Sequence, residues 1–195
     1  MNVDAAEIYI LDKLTKNLSP TLFYHGPHHT VEVTEAALKI AEAEGITDEE
    51  SLILLKTAAL YHDIGFITTY RSHEEEGCRI ARLTLPTFGY DAPQIEKVCG
   101  MVMATKIPQT PHTHLERIIA DADLDYLGGV NFWSVADSLY NELREREMVT
   151  DIQAWNRIQV SFLTAHAYWT PSAQAGRNPG KQAVLDELKE IVKTY

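Results

Sequence analysis

The sequence has very little of what several large protein classes require. Cysteine occurs only as Cys78 and Cys99, too few for a disulfide framework and without metal-finger spacing, so both are expected to be buried free thiols. Basic residues are outnumbered, with 17 Lys and Arg against 28 Asp and Glu, for a net charge of −11 with histidine neutral. A surface of that sign repels phosphate backbones at long range, which excludes a role built on sequence-independent DNA or RNA affinity. It does not exclude a small anionic substrate, because a local cation can invert the sign of one pocket. No apolar run approaches spanning length, and residues 1–10 carry Asp4 and Glu7 where a signal peptide carries bases. A soluble, cytoplasmic protein with no membrane partner is the expectation. With 45% hydrophobic residues, disorder is excluded as well.

What is present is helical period and helix punctuation, with no alternating strand. A first helix is expected from about Asp4 to about Asn17. A second starts near Pro27, a residue suited to a first helical position, and stops at Gly45. Pairs with capping-box spacing open a third at Thr47 and Glu50, a fourth at Ser72 and Glu75, and a sixth at Thr113 and Glu116. The third stops at Gly65, the fourth at Pro86 and the sixth at Gly128-Gly129. Asp91-Ala92-Pro93 opens a fifth. Asn131 and Asp151 cap two long helices reaching about Arg146 and about Tyr168, and Asn178-Pro179 starts the last, after a loop from Pro171 to Gly180. The expectation is an all-α, single-domain helical bundle spanning residues 1–195.

Helical phase sorts the histidines and aspartates. His28 shares its stripe with Glu32, Glu35 and Lys39, a wet face, whereas His29 aligns with Val33, Ala36 and Ile40. His62 continues the stripe Leu52, Leu55, Ala59. Asp63 follows an apolar run and must be paired, hydrogen-bonded or bound to a metal, because burying it bare is too costly. In Ile118-Ile119-Ala120-Asp121-Ala122-Asp123, the apolar face centres on Leu115, Ile119 and Ala122. Asp123 lies about 60–70° from that centre and Asp121 about 130°, so phase favours Asp123, with Asp121 as the alternative. Two inward imidazoles and two inward carboxylates on three helices form a four-donor set suited to Mn, Fe, Co, Ni or Zn. A buried His–Asp hydrogen-bonded network bracing the bundle is the competing reading of the same residues.

Three segments together, Tyr24-His25-Gly26-Pro27-His28-His29-Thr30, Ala58-Ala59-Leu60-Tyr61-His62-Asp63-Ile64-Gly65 and Ile118 to Asp123, resemble the HD superfamily of metal-dependent phosphohydrolases. The resemblance covers roughly residues 22–128, with 129–195 as a C-terminal helical elaboration. It implies an HD-type bundle holding one divalent metal per chain, with Mg also possible, on His29, His62, Asp63 and one aspartate of the sixth helix. Many members carry Lys or Glu three residues after the His-Asp aspartate, where this chain has Phe66. Two-metal members have a further pair of adjacent histidines, where this chain has Met103-Ala104-Thr105-Lys106.

The expected activity is hydrolysis of a phosphate ester of a nucleotide or related small phosphorylated metabolite, by attack of ion-activated water on phosphorus. Asp63 would accept the proton of that water. His73, at the start of a helix where an anion is favoured, would bind phosphate or protonate the leaving group. Arg79 and Lys106 would supply further cationic contacts, Lys106 close to the chemistry, and His25 would line the pocket mouth. Two alternatives fit the same residues. A catalytically weak HD domain would act as a nucleotide-binding sensor, and a di-iron oxygenase would draw extra ligands from His73, Glu74 and Glu75.

Overall fold

The computed structural model describes every residue, Met1–Tyr195, and is all-helical with no strand. Nine α-helices follow one another: α1 Val3–Asn17, α2 Pro27–Ala43, α3 Glu49–Tyr61, α4 His73–Thr84, α5 Ala92–Ala104, α6 His114–Asp123, α7 Phe132–Glu145, α8 Ile152–Ala165 and α9 Pro171–Val192. Short 3-10 turns occupy Ile64–Ile67, Leu85–Phe88 and Asp125–Gly128. No helix is long and apolar enough to cross a membrane.

The ends of the helices follow local chemistry. Asp91 and Gln94 close a reciprocal capping box on α5, and Thr113 and Glu116 do the same on α6, at 3.2 Å in each direction. Two expected boxes form differently. Asp48, not Thr47, caps α3 by accepting from the Ser51 amide at 2.8 Å. Ser72 precedes α4 in the left-handed region (φ 56°) and makes no side-chain cap, because a capping side chain works from an extended backbone. Glu75 pairs with Lys106 instead.

The largest departure is at the C-terminus, where the expected loop from Pro171 to Gly180 is helix and α9 starts at Pro171 instead of Asn178. Thr170 caps it by accepting from the Ala173 amide at 3.3 Å, and Pro171 takes the first position, where its missing N–H costs nothing. Pro179 then lies inside a helix, normally a cost of about 3 kcal/mol. Packing offsets that cost. Arg177 makes two 2.6 Å bonds to the Asp125 carboxylate, and Gly128 and Gly180 bring two backbones together so closely that a Cβ on Gly180 would lie 2.3 Å from the Gly128 carbonyl oxygen. A proline that reads as a boundary in isolation is held inside a helix by its neighbours.

The helices gather into two compact units. The first comprises Met1–Ser19 and His25–Asp123. Its core joins Ile10 and Leu14 of α1, Val33 and Ala37 of α2, Leu54, Leu55 and Ala58 of α3, Val98 and Val102 of α5, and Ile118 and Ile119 of α6. Residues 54–61 of α3 are buried on every side except at Lys56, which makes this helix the axis of the unit. The second comprises Pro20–Tyr24 and Leu124–Tyr195, around Leu127, Phe132, Trp155, Leu163 and Leu188. Within it, the buried Glu142 carboxylate accepts from the Tyr24 amide at 2.9 Å, and Arg146 donates to the Thr21 carbonyl at 2.9 Å.

Candidate metal centre

The axial helix α3 ends in the residues that matter. The chain leaves α-helical geometry after Tyr61 and tightens into the 3-10 turn Ile64–Ile67. His62 is still helical (φ −58°, ψ −38°), whereas Asp63 sits in the bridge region (φ −106°, ψ 2°), where many active-site residues are found. Neighbours on a regular helix diverge by about 100°. This break turns both side chains to one point, against His29 from the first turn of α2 and Asp123 from the last residue of α6.

Three groups, His29, His62 and Asp123, converge closely, and Asp63 approaches the two imidazoles through Oδ2 from outside that trio. His29 Nε2 lies 3.1 Å from Asp123 Oδ1, 3.7 Å from Asp63 Oδ2 and 3.5 Å from His62 Nε2. His62 Nε2 lies 3.2 Å from Asp63 Oδ2 and 3.6 Å from Asp123 Oδ1. His29, His62 and Asp63 are buried, and Asp123 opens slightly to solvent. Asp123, favoured by helical phase, is the aspartate that faces the imidazoles. Asp121, which phase turns about 130° from the apolar centre, is wholly buried all the same, because α6 packs against α2, α3 and α5 at once; it stands outside the group formed by His29, His62 and Asp123.

The donor set fits a divalent cation. His62 Nδ1–H donates to the Ala59 carbonyl at 2.7 Å, so a neutral His62 presents its Nε2 lone pair inward. That lone pair meets Asp63 Oδ2, which is buried and has no hydrogen-bond partner, and Asp123 Oδ1. Electron pairs converging in this way repel one another unless a proton or a cation lies among them. Burial by itself would lower the His62 pKa, but Asp63 and Asp123 beside it push it up to about 9, from an ordinary 6.5. Asp63 is desolvated too, yet the facing imidazoles hold it well below the carboxylate range. A divalent ion would take the place of that proton, held by the two Nε2 atoms and by oxygens of Asp63 and Asp123.

The signs give a pH prediction. A raised folded-state pKa makes His62 stabilising below about pH 6.5, and that contribution disappears as pH rises through about 9. The metal-free protein is therefore expected to lose thermal stability across that window, and the metal-loaded protein to lose much less. Unfolding temperatures from about pH 6 to about pH 10, with and without chelator, measure the difference; parallel curves would mean that His62 does not carry the proton.

Other expected site residues divide. His73, the first residue of α4, places Nε2 3.5 Å from Asp63 Oδ1, and its imidazole stacks on Phe66 at 3.8 Å. Burial pulls its pKa down, with Asp63 and Glu74 opposing. His25 is half-buried beside the same group, edge-on to His29 at 6.0 Å and 4.3 Å from Phe66. Arg79 and Lys106 are not delivered to the ligands. Arg79 grips Glu76 with two 2.7 Å bonds on an exposed face, and Lys106 pairs with Glu75. Each cation has an acidic neighbour within reach, and the pair forms there first. Glu74 enters the sequence reading only as an extra ligand of the oxygenase alternative, not as a buried neighbour of His73. It lies in the acidic run Glu74–Glu76, which looks like a solvated helix start, yet it is buried with Oε1 3.6 Å from His73 Nε2. Nothing in the local pattern separates Glu74 from Glu75 and Glu76.

His28 is exposed with Glu32, Glu35 and Lys39. Its replacement by alanine is expected to leave metal content unchanged and stability within about 0.5 kcal/mol; loss of metal from His28→Ala would place the ligand face of α2 elsewhere.

The comparisons agree with this geometry. A family model for the HD domain matches residues 28–125, which contain all four converging side chains. No curated protein matches the sequence. Solved structures share the fold, among them the following three. One, described as a predicted HD superfamily hydrolase from an uncultured Thermotogales bacterium, is 21% identical, with a TM-score of 0.62 over 98% of this chain and 91% of that one. Bacillus subtilis YpgQ, solved in complex with ADP, is 16% identical, with a TM-score of 0.66 over 98% and 97%. A Lactobacillus plantarum protein is 17% identical, with a TM-score of 0.69 over 100% and 98%. At these identities the likeness speaks for fold alone. The family model, covering half of the sequence and enclosing the His-Asp pair with both of its distant partners, identifies this chain as a member of the HD domain family.

Proposed function

We propose that the protein is a divalent-metal-dependent phosphohydrolase, cleaving a phosphate ester of a nucleotide or a related small phosphorylated metabolite. The observation that carries the reading is the buried Asp63 Oδ2, without a hydrogen bond and facing two imidazole nitrogens at 3.2 and 3.7 Å, a donor set suited to a cation inside a chain of net charge −11. A bound divalent ion supplies a Lewis acid for a phosphoryl oxygen and lowers the pKa of water. Asp63 has a second oxygen, Oδ1, turned toward His73, and is suited to take up a proton there. His73 would hand a proton to a departing oxygen, and His25 would contact the phosphate beside it. For Arg79 or Lys106 to contribute, phosphate would first have to displace Glu76 or Glu75. The nucleotide part of the reading draws on YpgQ, whose structure holds ADP.

A second reading, a di-iron oxygenase, has one observation in its favour: His73 Nε2 lies 3.5 Å from Asp63 Oδ1 and 3.6 Å from Glu74 Oε1, a second cluster of donors on the far side of Asp63. Metal analysis of protein purified without chelator separates the two. About one ion per chain, with phosphate released from nucleoside mono-, di- or triphosphates, is the expected result. Two irons per chain and no phosphate release would favour the oxygenase.

A further inference from the structure

The His73 imidazole is oriented by something other than hydrogen bonds. Its Nε2 contacts with Asp63 Oδ1 (3.5 Å) and Glu74 Oε1 (3.6 Å) are longer than an aligned hydrogen bond. The close contact is a face. The Phe66 ring lies 3.8 Å from the imidazole centroid at an interplanar angle of 19°. The same phenyl ring meets His25 at 4.3 Å and 33°, and Tyr70 closes its flank at 5.2 Å. Phe66 is only 8% exposed, so it offers little surface to a substrate. The backbone beneath it is equally constrained. A Cβ on Gly65 would lie 1.9 Å from the His73 carbonyl oxygen and 2.9 Å from its Cα. The first residue of α4 therefore rests directly on the turn that follows the His-Asp pair, a contact open only to glycine.

We propose that Phe66, seated by the Gly65–His73 backbone contact, is a positioning residue that holds the His73 imidazole beside Asp63 Oδ1 and the His25 ring against the same phenyl. A histidine ring rotates broadly about its Cβ–Cγ bond, and a flat apolar face against one side removes that freedom while leaving both nitrogens available. Stacking thus does for His73 what a hydrogen bond from Nδ1 to a carbonyl does for His62. The consequence for catalysis rests on the hydrolase reading above; the consequence for ring orientation does not.

The test uses full-length Phe66→Leu, Phe66→Tyr, His73→Ala and the double variant Phe66→Leu/His73→Ala. Leucine keeps the site apolar and filled but removes the flat face; tyrosine keeps the face. On whichever nucleoside phosphate the wild type hydrolyses, Phe66→Leu is expected to lower kcat about tenfold with KM and metal content near wild type. Phe66→Tyr should retain most of kcat, and the double variant should be no slower than His73→Ala alone, because a positioning effect vanishes once the positioned group is gone. The readout independent of turnover is the proton spectrum of the His73 ring. Its signals should be shifted upfield by Phe66 in the wild type and in Phe66→Tyr, and move downfield in Phe66→Leu. Multiplying effects in the double variant, or His73 signals unmoved in Phe66→Leu, would overturn the proposal. If the wild type hydrolyses no phosphate ester, the hydrolase reading fails, and the His73 spectrum still decides whether Phe66 orients the ring.

Discussion

Replacing His62 or His29 with alanine should yield folded protein that retains no tightly bound metal and no measurable hydrolysis. His62 presents Nε2 to both carboxylates, with its other nitrogen tied to the Ala59 carbonyl, so its removal deletes a preoriented donor and not a mobile one. His29 supplies the other imidazole, 3.1 Å from Asp123. Loss of a group that only supports a ligand costs about 10–100-fold in affinity; loss of one of four direct donors is expected to cost more, enough for dialysis to strip the ion. The two variants should differ in stability. Without His62, the buried Asp63 loses the nearer imidazole, at 3.2 Å, the one whose pKa it raises, and keeps only His29 at 3.7 Å; breaking a buried charge pair typically costs about 3–5 kcal/mol. His62→Ala should therefore melt well below His29→Ala in the presence of chelator. Metal content after dialysis, with circular dichroism to establish folding, is the measurement. Two folded variants with full metal content would remove both residues from the site.

The aspartate pair on α6 should give the second large effect, and one of opposite kinds. Asp123→Ala is expected to lose the metal with little change in fold, because Asp123 ends its helix, is partly open to solvent and turns Oδ1 toward both imidazoles. Asp121→Ala is expected to keep most of the metal but to unfold more readily, by on the order of 2 kcal/mol. Its carboxylate is wholly buried and takes part in an interaction there, which the substitution would remove from the interior. Residues two apart stand about 200° around a helix, so the two cannot both point at one ion. Metal stoichiometry and chemical denaturation of both variants decide it. Metal lost from Asp121→Ala and retained by Asp123→Ala would exchange the roles of the two aspartates.

Local pattern went far for the helices because most of their ends are capped by residues within four positions. Asp91 with Gln94, Thr113 with Glu116 and Asp151 with Ala154 are such cases, and for these the chain carries its own instructions. It misled where a distant segment outweighed the local preference. Pro179 reads as a helix start, yet α9 runs through it because Arg177 and Gly180 are held by the turn Asp125–Gly128. Ser72 reads as a cap, yet it takes a left-handed backbone directly before the point where His73 rests on Gly65.

The same division runs through the site. Helical phase by itself determined that His29 faces inward and His28 outward, that His62 and Asp63 end an apolar helix, and that Asp123 is better aimed than Asp121, since all of these follow from a fixed rotation per residue. Only the tertiary structure decided that adjacent His62 and Asp63 face the same point, because that requires the helix to break between them and the turn that follows. It alone decided that Glu74 is buried while Glu75 is drawn to Lys106, and that Phe66, unremarkable in sequence, lies flat against His73. Periodicity tells which way a side chain leaves its own helix; what it meets there depends on residues from other helices, and the sequence records no distance to them.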